Sequence, residues 1–351
     1  MAEAQQAHAA AQPPTSGSAD DLARMFEMIT GFEISQIVHA AARYSLAEHL
    51  RGGRTSAAEI ARAEAIDAGA TFRLLRACAS IGLATYAGDE RFAATPLLDT
   101  LRKDHPDSLR GAAELLCGAG HWLPWGQLCE AIASGKPQAQ ATLGCSAWEY
   151  LAKSPREAAA FEQTMRARSH GFDEAAARLI DTRAAKVAVD VGGAHGTLLQ
   201  ALMQQNPALS GVLFDLPQIA SGALEAARQR GVQARFTAVP GSFFDTPVPP
   251  GDLLLLKRVL HDWDDAACVE ILKNCRRALQ PQGRLLVAER LLDEIGKAGT
   301  APLMDLDMLV MLGGKERSLA GYNALLAAAG FRLSSVTRTA TPLFIIEARA
   351  A

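Results

Sequence analysis

The chain has 351 residues, of which 49% are hydrophobic and 21% charged, so a folded core is expected and bulk disorder is excluded. Its 35 Lys and Arg against 38 Asp and Glu give a net charge of −3, which argues against a nucleic-acid binder held by a basic surface. No apolar run approaches the ~20 residues of a membrane-spanning helix and no secretory signal is evident, so we expect no membrane association and a cytoplasmic location.

The first 20 residues contain hardly any apolar side chains, and this composition predicts a disordered tail over residues 1–20. Beyond the tail, apolar residues recur at intervals of three and four, which predicts one face of a helix. These residues are Phe32, Ile34, Ile37, Val38, Ala41, Tyr44 and Leu46.

Two short helical patterns and a hairpin pattern follow. Ser56 and Glu59 have the spacing of a capping box, which predicts the start of a short helix. The segment Thr71–Gly82 predicts a second helix that ends at its glycine. The turn Gly88-Asp89 separates two short strand patterns and predicts a small hairpin.

Two helices followed by a hairpin form the outline of a winged helix, a module that can bind DNA. Residues 54–91 contain five Arg and five acidic residues, and therefore carry no net charge. Because a DNA-binding face should be clearly basic, this balance favours contact with protein over contact with DNA.

Residues 107–180 have mostly helical patterns, and short apolar strands alternate with helices after Arg183. The predicted strands are Lys186–Val191, Gly211–Phe214, Arg235–Ala238, Leu253–Leu256 and Arg284–Glu289. This alternation predicts an open, mainly parallel sheet with helices on both faces. The last two strand patterns, Phe331–Thr337 and Leu343–Ala348, are too close for a helical crossover, so we expect them to pair antiparallel.

Two strand ends contain residues suited to a cofactor. Gly192 and Gly193 let the backbone approach a ligand that a side chain would block, but Ala194 breaks the G-x-G-x-x-G fingerprint and weakens a nicotinamide interpretation. Asp215 ends the next strand, where a carboxylate can accept both hydroxyls of a ribose. The alternative for the two glycines is a simple turn between strand and helix, and the alternative for Asp215 is a helix N-cap. Together, the three residues favour a nucleoside-containing cofactor. Phe243, after the third strand, either stacks on an adenine ring or fills the core.

A second polar group follows the fourth strand. Lys257, His261 and Asp262 come directly after a fully apolar run, and the next strand ends at Glu289. Because neighbouring parallel strands end at one edge of the sheet, we expect Glu289 to lie near His261. A carboxylate beside an imidazole fixes its tautomer and raises its basicity, so a catalytic histidine is favoured over a structural one.

The ordered set of motifs resembles the S-adenosylmethionine-dependent small-molecule O-methyltransferases, a family shared by plant phenolic and bacterial polyketide or phenazine tailoring enzymes. The motifs are Asp190-Val-Gly-Gly-Ala-His-Gly, Phe214-Asp-Leu-Pro, Leu256-Lys-Arg-Val-Leu-His-Asp-Trp and Gly313-Gly-Lys-Glu-Arg. The likeness covers nearly the whole chain after the tail. It implies an α/β fold, a Rossmann-like class I methyltransferase sheet with an antiparallel last strand, preceded by a helical, winged-helix-like dimerisation domain.

The resemblance also implies roles for individual residues. His261 would be the general base of a direct in-line displacement, positioned by Glu289 and Glu316. S-adenosylmethionine, which leaves as S-adenosylhomocysteine, would be bound by Gly192, Gly193, Asp215, Leu216, Ser242, Phe243, Lys257 and Trp263. A small hydroxylated aromatic substrate would contact Phe161, Met165, Asp262 and Met311, although an apolar core role is equally open for Phe161, Met165 and Met311.

By the same resemblance, residues 21–110 would form the dimerisation domain of a homodimer. Residues 111–351 would form the methyltransferase domain, including a helical substrate-pocket segment at 111–182. No metal is expected, because the 6 cysteines form no Cys-x-x-Cys pair and the histidines form no H-E-x-x-H motif.

Two positions depart from the family pattern: Ser242, where the family usually has Asp, and Ala194, in place of its third glycine. With Ser242 in place of Asp, one contact with the adenine of the cofactor would either be weaker or be supplied by another group. Alternative functions are N-methylation, decarboxylation or hydroxylation with the same cofactor, or a non-catalytic winged-helix interaction protein.

Overall fold

A computed structural model describes residues 18–169, 171–292, 295–296 and 299–351. Most of the tail predicted over residues 1–20 lies outside the described residues, but the first helix begins at Ala19, two residues inside it. The chain divides between Cys117 and Gly118 into two compact units. In the described part of the chain, no helix has the length and apolar character that crossing a membrane requires.

The first unit consists of short helices and one hairpin. Its helices are α1 Ala19–Arg43, α2 Leu46–Arg51, α3 Ala57–Glu64, α4 Ala68–Ser80, α5 Pro96–Asp99 and α6 Arg110–Leu116, and its strands are β1 Ala84–Gly88 and β2 Arg91–Ala94. The predicted capping box is present, because Ser56 and Glu59 bond reciprocally at the start of α3. The predicted hairpin is also present, but its turn residues are Asp89 and Glu90, both with positive φ.

Helix α1 has apolar residues spread along its length, but it packs within its own unit only near its C-terminal end. Ala41 and Ala42 are buried, and Ile37 and Val38 are partly buried against the core of the unit. Towards the N-terminus a continuous apolar face is more than half exposed: Leu22, Met25, Phe26, Met28, Ile29, Phe32 and Ile34. An apolar surface of this kind is typical of an interface with another protein.

The second unit is a sheet with helices on both faces. Its helices are α7 Ala119–Trp125, α8 Leu128–Ser134, α9 Ala139–Leu143, α10 Ala147–Lys153, α11 Pro155–Ser169, α12 Phe172–Leu179, α13 Thr197–Gln205, α14 Pro217–Gln229, α15 Asp265–Ala278, α16 Ala301–Met311 and α17 Leu319–Ala328. Its strands are β3 Val187–Val191, β4 Ser210–Asp215, β5 Phe236–Pro240, β6 Gly251–Lys257, β7 Leu279–Arg290, β8 Phe331–Arg338 and β9 Leu343–Ala350. Every predicted strand is confirmed, with ends that differ by a few residues.

Among the described residues, seven strands form one sheet in the order β5–β4–β3–β6–β7–β9–β8. Strands β3 to β7 pair in parallel, and β9 is antiparallel to both of its neighbours, as predicted. The chain leaves β3 towards β4 on one side and returns to β6 on the other, which makes the edge beyond β3 a topological switch point. The predicted cofactor residues and His261 follow the carboxyl ends of β3, β4, β5 and β6 at this edge, and Glu289 lies near the end of β7, whereas Phe161, Met165, Met311 and Glu316 lie on α11, on α16 and in the loop after α16.

Two apolar cores, one on each face, fix the sheet. Leu254, Leu256 and Val287 face the core formed with α15 and α17, whereas Leu253 and Leu255 face the core formed with α12 and α13. All these side chains are buried, so β6 is apolar on both faces, as a central parallel strand should be. Polar residues at its end can therefore only lie at the edge of the sheet, where the site is found.

Candidate functional site

The turn after β3 brings backbone close to the edge of the sheet. Gly192 has φ +69° and donates its N–H to the Phe214 carbonyl oxygen at 2.8 Å. A Cβ on Gly192 would lie 3.0 Å from Val259 Cγ2, and a Cβ on Gly193 would collide with the carboxylate of Asp190. Both glycines are therefore required by close packing around this turn, and the small residues leave its backbone accessible to a ligand.

Asp190, which sequence reasoning did not assign to the site, is fully buried directly before this turn. Neither of its carboxylate oxygens has a hydrogen-bond partner among the described residues. Burial raises the pKa of Asp190 to about 7, in spite of the nearby positive charge of Lys257. A buried carboxylate without a donor is an acceptor for a group that is absent from the chain itself.

Lys257 ends β6 beside this carboxylate. Its Nζ donates hydrogen bonds to Asp173 Oδ1 at 2.8 Å and to Thr197 Oγ1 at 3.2 Å. Both charged side chains are at least nine-tenths buried. The Lys257–Asp173 ion pair therefore holds α12 against the end of β6, and the predicted contact of Lys257 with the cofactor stays a prediction.

Asp215 ends β4, as predicted, and it holds the glycine turn. Its Oδ2 accepts the N–H of Ala194 at 2.8 Å, and its Oδ1 accepts the N–H of Leu216 at 2.7 Å. Burial raises the pKa of Asp215, although these two backbone donors act in the opposite direction. A carboxylate has further acceptor positions, so these bonds are compatible with ribose hydroxyls as additional donors. The side chain of Leu216 is 43% exposed beside it.

An aromatic cluster forms the next part of the edge. Phe243 packs edge-on against Phe244 at 4.9 Å and against Trp263 at 5.8 Å between ring centroids, and it also lies against Gly192. Phe243 thus contacts the core, and it also stands beside the glycine turn. This position is compatible with both predicted roles, filling the core and stacking on an adenine ring. Ser242 accepts the N–H of Phe244 at 3.2 Å and stabilises the turn after β5.

His261 lies at the end of β6, only 5% exposed, among three carboxylates. Its Nδ1 is 3.0 Å from Glu316 Oε1 and 3.6 Å from Glu289 Oε2, and its Nε2 is 3.2 Å from Asp262 Oδ1. Glu316 favours the tautomer that has the proton on Nδ1, which leaves Nε2 as the basic atom. The sequence prediction that Glu289 and Glu316 lie beside His261 is consistent with this geometry.

The charges at this position favour a protonated imidazole. Burial lowers the pKa of His261, but the charges of Glu289 and Asp262 and the hydrogen bond to Glu316 outweigh it and raise the pKa to about 9. Burial also raises the pKa of Asp262, and the positive charges of His261 and Arg258 partly offset this increase. Nε2 therefore has the affinity for a proton that a general base requires.

The loop after α16 holds Glu316 against the histidine. A Cβ on Gly314 would collide with the backbone carbonyl of His261, so only glycine permits this approach. Arg317, which sequence reasoning missed, donates to the carbonyl oxygens of Leu260 at 3.0 Å and Trp263 at 2.8 Å, and thereby braces the turn that contains the base. Its place next to Glu316 in the Gly-Gly-Lys-Glu-Arg motif is the sequence feature from which this role could have been inferred.

An open cavity of about 540 Å³ is lined by Asp262, the residue that follows His261 in the chain. Its lining residues are Gly135, Pro137, Phe244, Asp262, Trp263, Asp264, Ala267, Leu312 and Gly313. Of the predicted substrate residues, only Asp262 lines it; Met311 immediately precedes Leu312, and Phe161 packs edge-on against Trp148 at 5.8 Å. The roles of Phe161, Met165 and Met311 therefore stay predictions.

The residues at this edge fit a nucleoside cofactor with a cationic group. Gly192 and Gly193 admit close approach, Asp215 offers a carboxylate at the switch point, and Asp190 is a buried acid to which none of the described residues donates a hydrogen bond. A cluster of His261, Glu289 and Glu316 could also offer ligand atoms to a metal ion. One oxygen of Glu289 accepts backbone N–H groups, and one oxygen of Glu316 is hydrogen-bonded to the imidazole. These bonds give the two carboxylates a role in positioning His261 that requires no metal ion.

Comparison with known proteins gives two family matches. A sequence profile of the O-methyltransferase domain matches residues 125–332, and a profile of the O-methyltransferase dimerisation domain matches residues 26–104. The phenazine O-methyltransferase of Lysobacter antibioticus is 34% identical over 325 residues, which cover 93% of this chain and 95% of that protein.

Two solved structures are similar in fold and in sequence. The mitomycin 7-O-methyltransferase has a TM-score of 0.90 and 32% identity, covering 95% of this chain and 98% of its own. An O-methyltransferase from neocarzinostatin biosynthesis, crystallised with S-adenosylmethionine and 2-hydroxy-5-methyl naphthoic acid, has a TM-score of 0.81 and 35% identity, covering 91% and 96%.

Proposed function

This chain belongs to the O-methyltransferase family, and we propose that His261 is the general base with which it methylates a hydroxyl group of an aromatic secondary metabolite. The methyl donor is S-adenosylmethionine, with which the similar enzyme from neocarzinostatin biosynthesis was crystallised. The observation that carries the proposal is the position of His261, whose Nδ1 is held by Glu316 while its Nε2 lies 3.2 Å from Asp262, a residue of the open cavity.

The chain would hold S-adenosylmethionine along the edge from β3 to β6. Gly192 and Gly193 would lie against its methionine part and Asp215 would accept its ribose hydroxyls, while Ser242 and Phe243 would flank its adenine. The predicted set also includes Leu216, Lys257 and Trp263. When bound, the sulfonium of S-adenosylmethionine supplies an electrophilic methyl group and leaves as a neutral sulfide.

His261 would take the proton of the substrate hydroxyl on Nε2, which makes the oxygen nucleophilic as it attacks in line. Glu316 keeps Nδ1 protonated, and Glu289 stabilises the imidazolium that results. A phenol has a pKa near ~10, so a histidine of ordinary pKa near ~6.5 would be a weak base for it. The raised pKa of His261, about 9, narrows that gap, but it also leaves the imidazole mostly protonated at neutral pH, so only its deprotonated fraction accepts the proton.

We also propose that residues 21–110 form the dimerisation domain and 111–351 the methyltransferase domain. The family matches at 26–104 and 125–332 and the division of the structure after Cys117 support these bounds. The protein is a homodimer, and its unpaired apolar surface on α1 supports a contact with a second copy there. All six cysteines are free, which supports a reducing, cytoplasmic location.

Calorimetric titration with S-adenosylhomocysteine, with NADH as the control, tests the cofactor. Micromolar binding of S-adenosylhomocysteine alone is expected; binding of NADH alone, or of neither, would contradict the proposal. Incubation with S-adenosylmethionine and paired hydroxyl and amine derivatives of the same aromatic ring then tests the reaction. Methyl transfer to the hydroxyl is expected, and exclusive methylation of the amine, or decarboxylation or hydroxylation of the ring, would overturn it.

A further inference from the structure

A second histidine–carboxylate pair lies in the same unit, outside the groups that the proposed reaction uses. His121 Nε2 is 2.9 Å from Asp307 Oδ1, and the indole Nε1 of Trp125 donates to the same oxygen at 2.7 Å. The imidazole and the indole stack at 6.4 Å between centroids. A carboxylate thus fixes two rings of α7 against α16.

The pair lies towards the reaction site. Asp307 is on α16, one turn before Met311, and α16 leads directly into Leu312 and Gly313, which line the cavity. The charge of Asp307 also helps to raise the pKa of Asp262, the carboxylate that contacts the base. The backbone N–H of Gln138 also donates to the Val310 carbonyl at 2.8 Å, which ties the far wall of the cavity to α16.

The pair is largely buried but still reaches the surface of the unit. The side chains of His121 and Asp307 are 15% and 14% exposed. Because Asp307 favours the proton of His121 on Nε2, Nδ1 is the ring atom left to accept a hydrogen bond.

We propose that the His121–Asp307 pair binds a second hydrogen-bond donor on the aromatic substrate, a hydroxyl or an amine, at a position other than the hydroxyl that is methylated. This inference rests on the proposed function, because it assigns the pair to the same substrate. Asp262 lines the cavity and Asp307 lies on the helix that leads into it, so two acidic side chains favour a donor and disfavour a carboxylate substituent.

Binding measurements on the enzyme saturated with S-adenosylhomocysteine test this without any methyl transfer. The probes are 2-naphthol, the dihydroxynaphthalenes that add one hydroxyl to it, and hydroxynaphthoates that add one carboxylate. For at least one dihydroxy isomer we expect binding about tenfold tighter than for 2-naphthol, the scale of one good hydrogen bond, and no gain for the carboxylates.

His121→Phe keeps an aromatic ring against Trp125 and removes the acceptor. It should abolish the gain from the second hydroxyl while 2-naphthol binds within about twofold of the wild type. His121→Gln, which keeps a polar side chain, provides a second reading if the phenylalanine variant is unstable, and should reduce the gain. Leu123→Ala, an exposed change on the same helix, should keep it.

A gain that persists in both His121 variants, a gain that no isomer shows in the wild type, or a larger gain for a carboxylate would each overturn the inference. If the naphthol probes bind in the expected pattern but S-adenosylmethionine yields no methylated product, the proposed function fails and the contact with the His121–Asp307 pair stands. If a naphthol is methylated but the second hydroxyl does not change its binding, the proposed function stands and this inference fails.

Discussion

Glu289 is joined to His261 through both of its carboxylate oxygens. Oε1 accepts backbone N–H groups of the segment that leads to the histidine, at 3.0 Å from Val259 and 2.9 Å from Leu260, and Oε2 lies 3.6 Å from His261 Nδ1. One buried carboxylate therefore fixes both the backbone and the charge of the base. The position of the histidine therefore depends directly on the strand that carries Glu289.

His261→Ala should lower kcat by about 10²-fold or more and leave the affinity for S-adenosylhomocysteine nearly unchanged, because the imidazole is assigned to the proton and not to the cofactor. Steady-state kinetics and calorimetry on the same preparation measure both. His105→Ala, in the other unit, is the matched control. A comparable loss of cofactor binding would make His261 a structural residue.

The pH dependence should show the raised pKa of the base. Only the deprotonated imidazole accepts a proton, so kcat/KM of the free enzyme should rise with pH and level off near the pKa of about 9. Glu289→Gln keeps an acceptor for the backbone N–H groups and removes a negative charge. The rising limb should then move to lower pH by roughly one unit or more. An unshifted profile would mean that Glu289 does not act on the imidazole.

Asp215→Ala should weaken binding of S-adenosylhomocysteine by at least ~1.5 kcal/mol, about tenfold, the scale of hydrogen bonds to a charged acceptor. Part of this loss comes through the turn, since Asp215 also accepts the N–H of Ala194. Asp215→Asn keeps one acceptor and should lose less. Calorimetry gives both constants, and unchanged affinity in the alanine variant would show that the ribose is held elsewhere.

Gly314→Ala should inactivate the enzyme or cost roughly 1–3 kcal/mol of stability, because the new methyl group would meet the backbone carbonyl of His261, which cannot rotate away. Gly299→Ala, where the methyl group would meet nothing within 4 Å, is the control and should be close to neutral. Thermal unfolding and turnover distinguish the two variants. A fully active Gly314→Ala enzyme would contradict the observed packing of the Glu316 loop.

Phe26→Glu should weaken the homodimer, because it places a charge in the apolar surface of α1, where Phe26 is 66% exposed in the single chain. Light scattering after size-exclusion chromatography measures the mass as a function of concentration. Ile132→Glu, a comparably exposed change in the other unit, should leave the dimer intact. A dimer of unchanged stability in Phe26→Glu would place the interface away from this surface.

The sequence by itself determined which segments form strands and which chemistry-bearing residues follow them. Apolar periodicity is a local property, so β3 to β9 and the antiparallel last pair could be predicted, with errors at the ends where capping decides the last residue. The glycine turn, Asp215, His261 and Glu289 were identifiable because chemistry-bearing residues directly follow buried strands, and parallel strands end at one edge.

Tertiary structure alone decided which groups meet across long intervals of sequence. Asp173 and Lys257, 84 positions apart, form a buried ion pair that no local pattern indicated. Arg317 braces the turn of His261, and the pair His121–Asp307 joins α7 to α16, because helices packed on a sheet bring distant segments together. Burial is likewise a property of the assembled fold, and it raises the pKa of Asp190. The same fold places around His261 the carboxylates that raise its pKa.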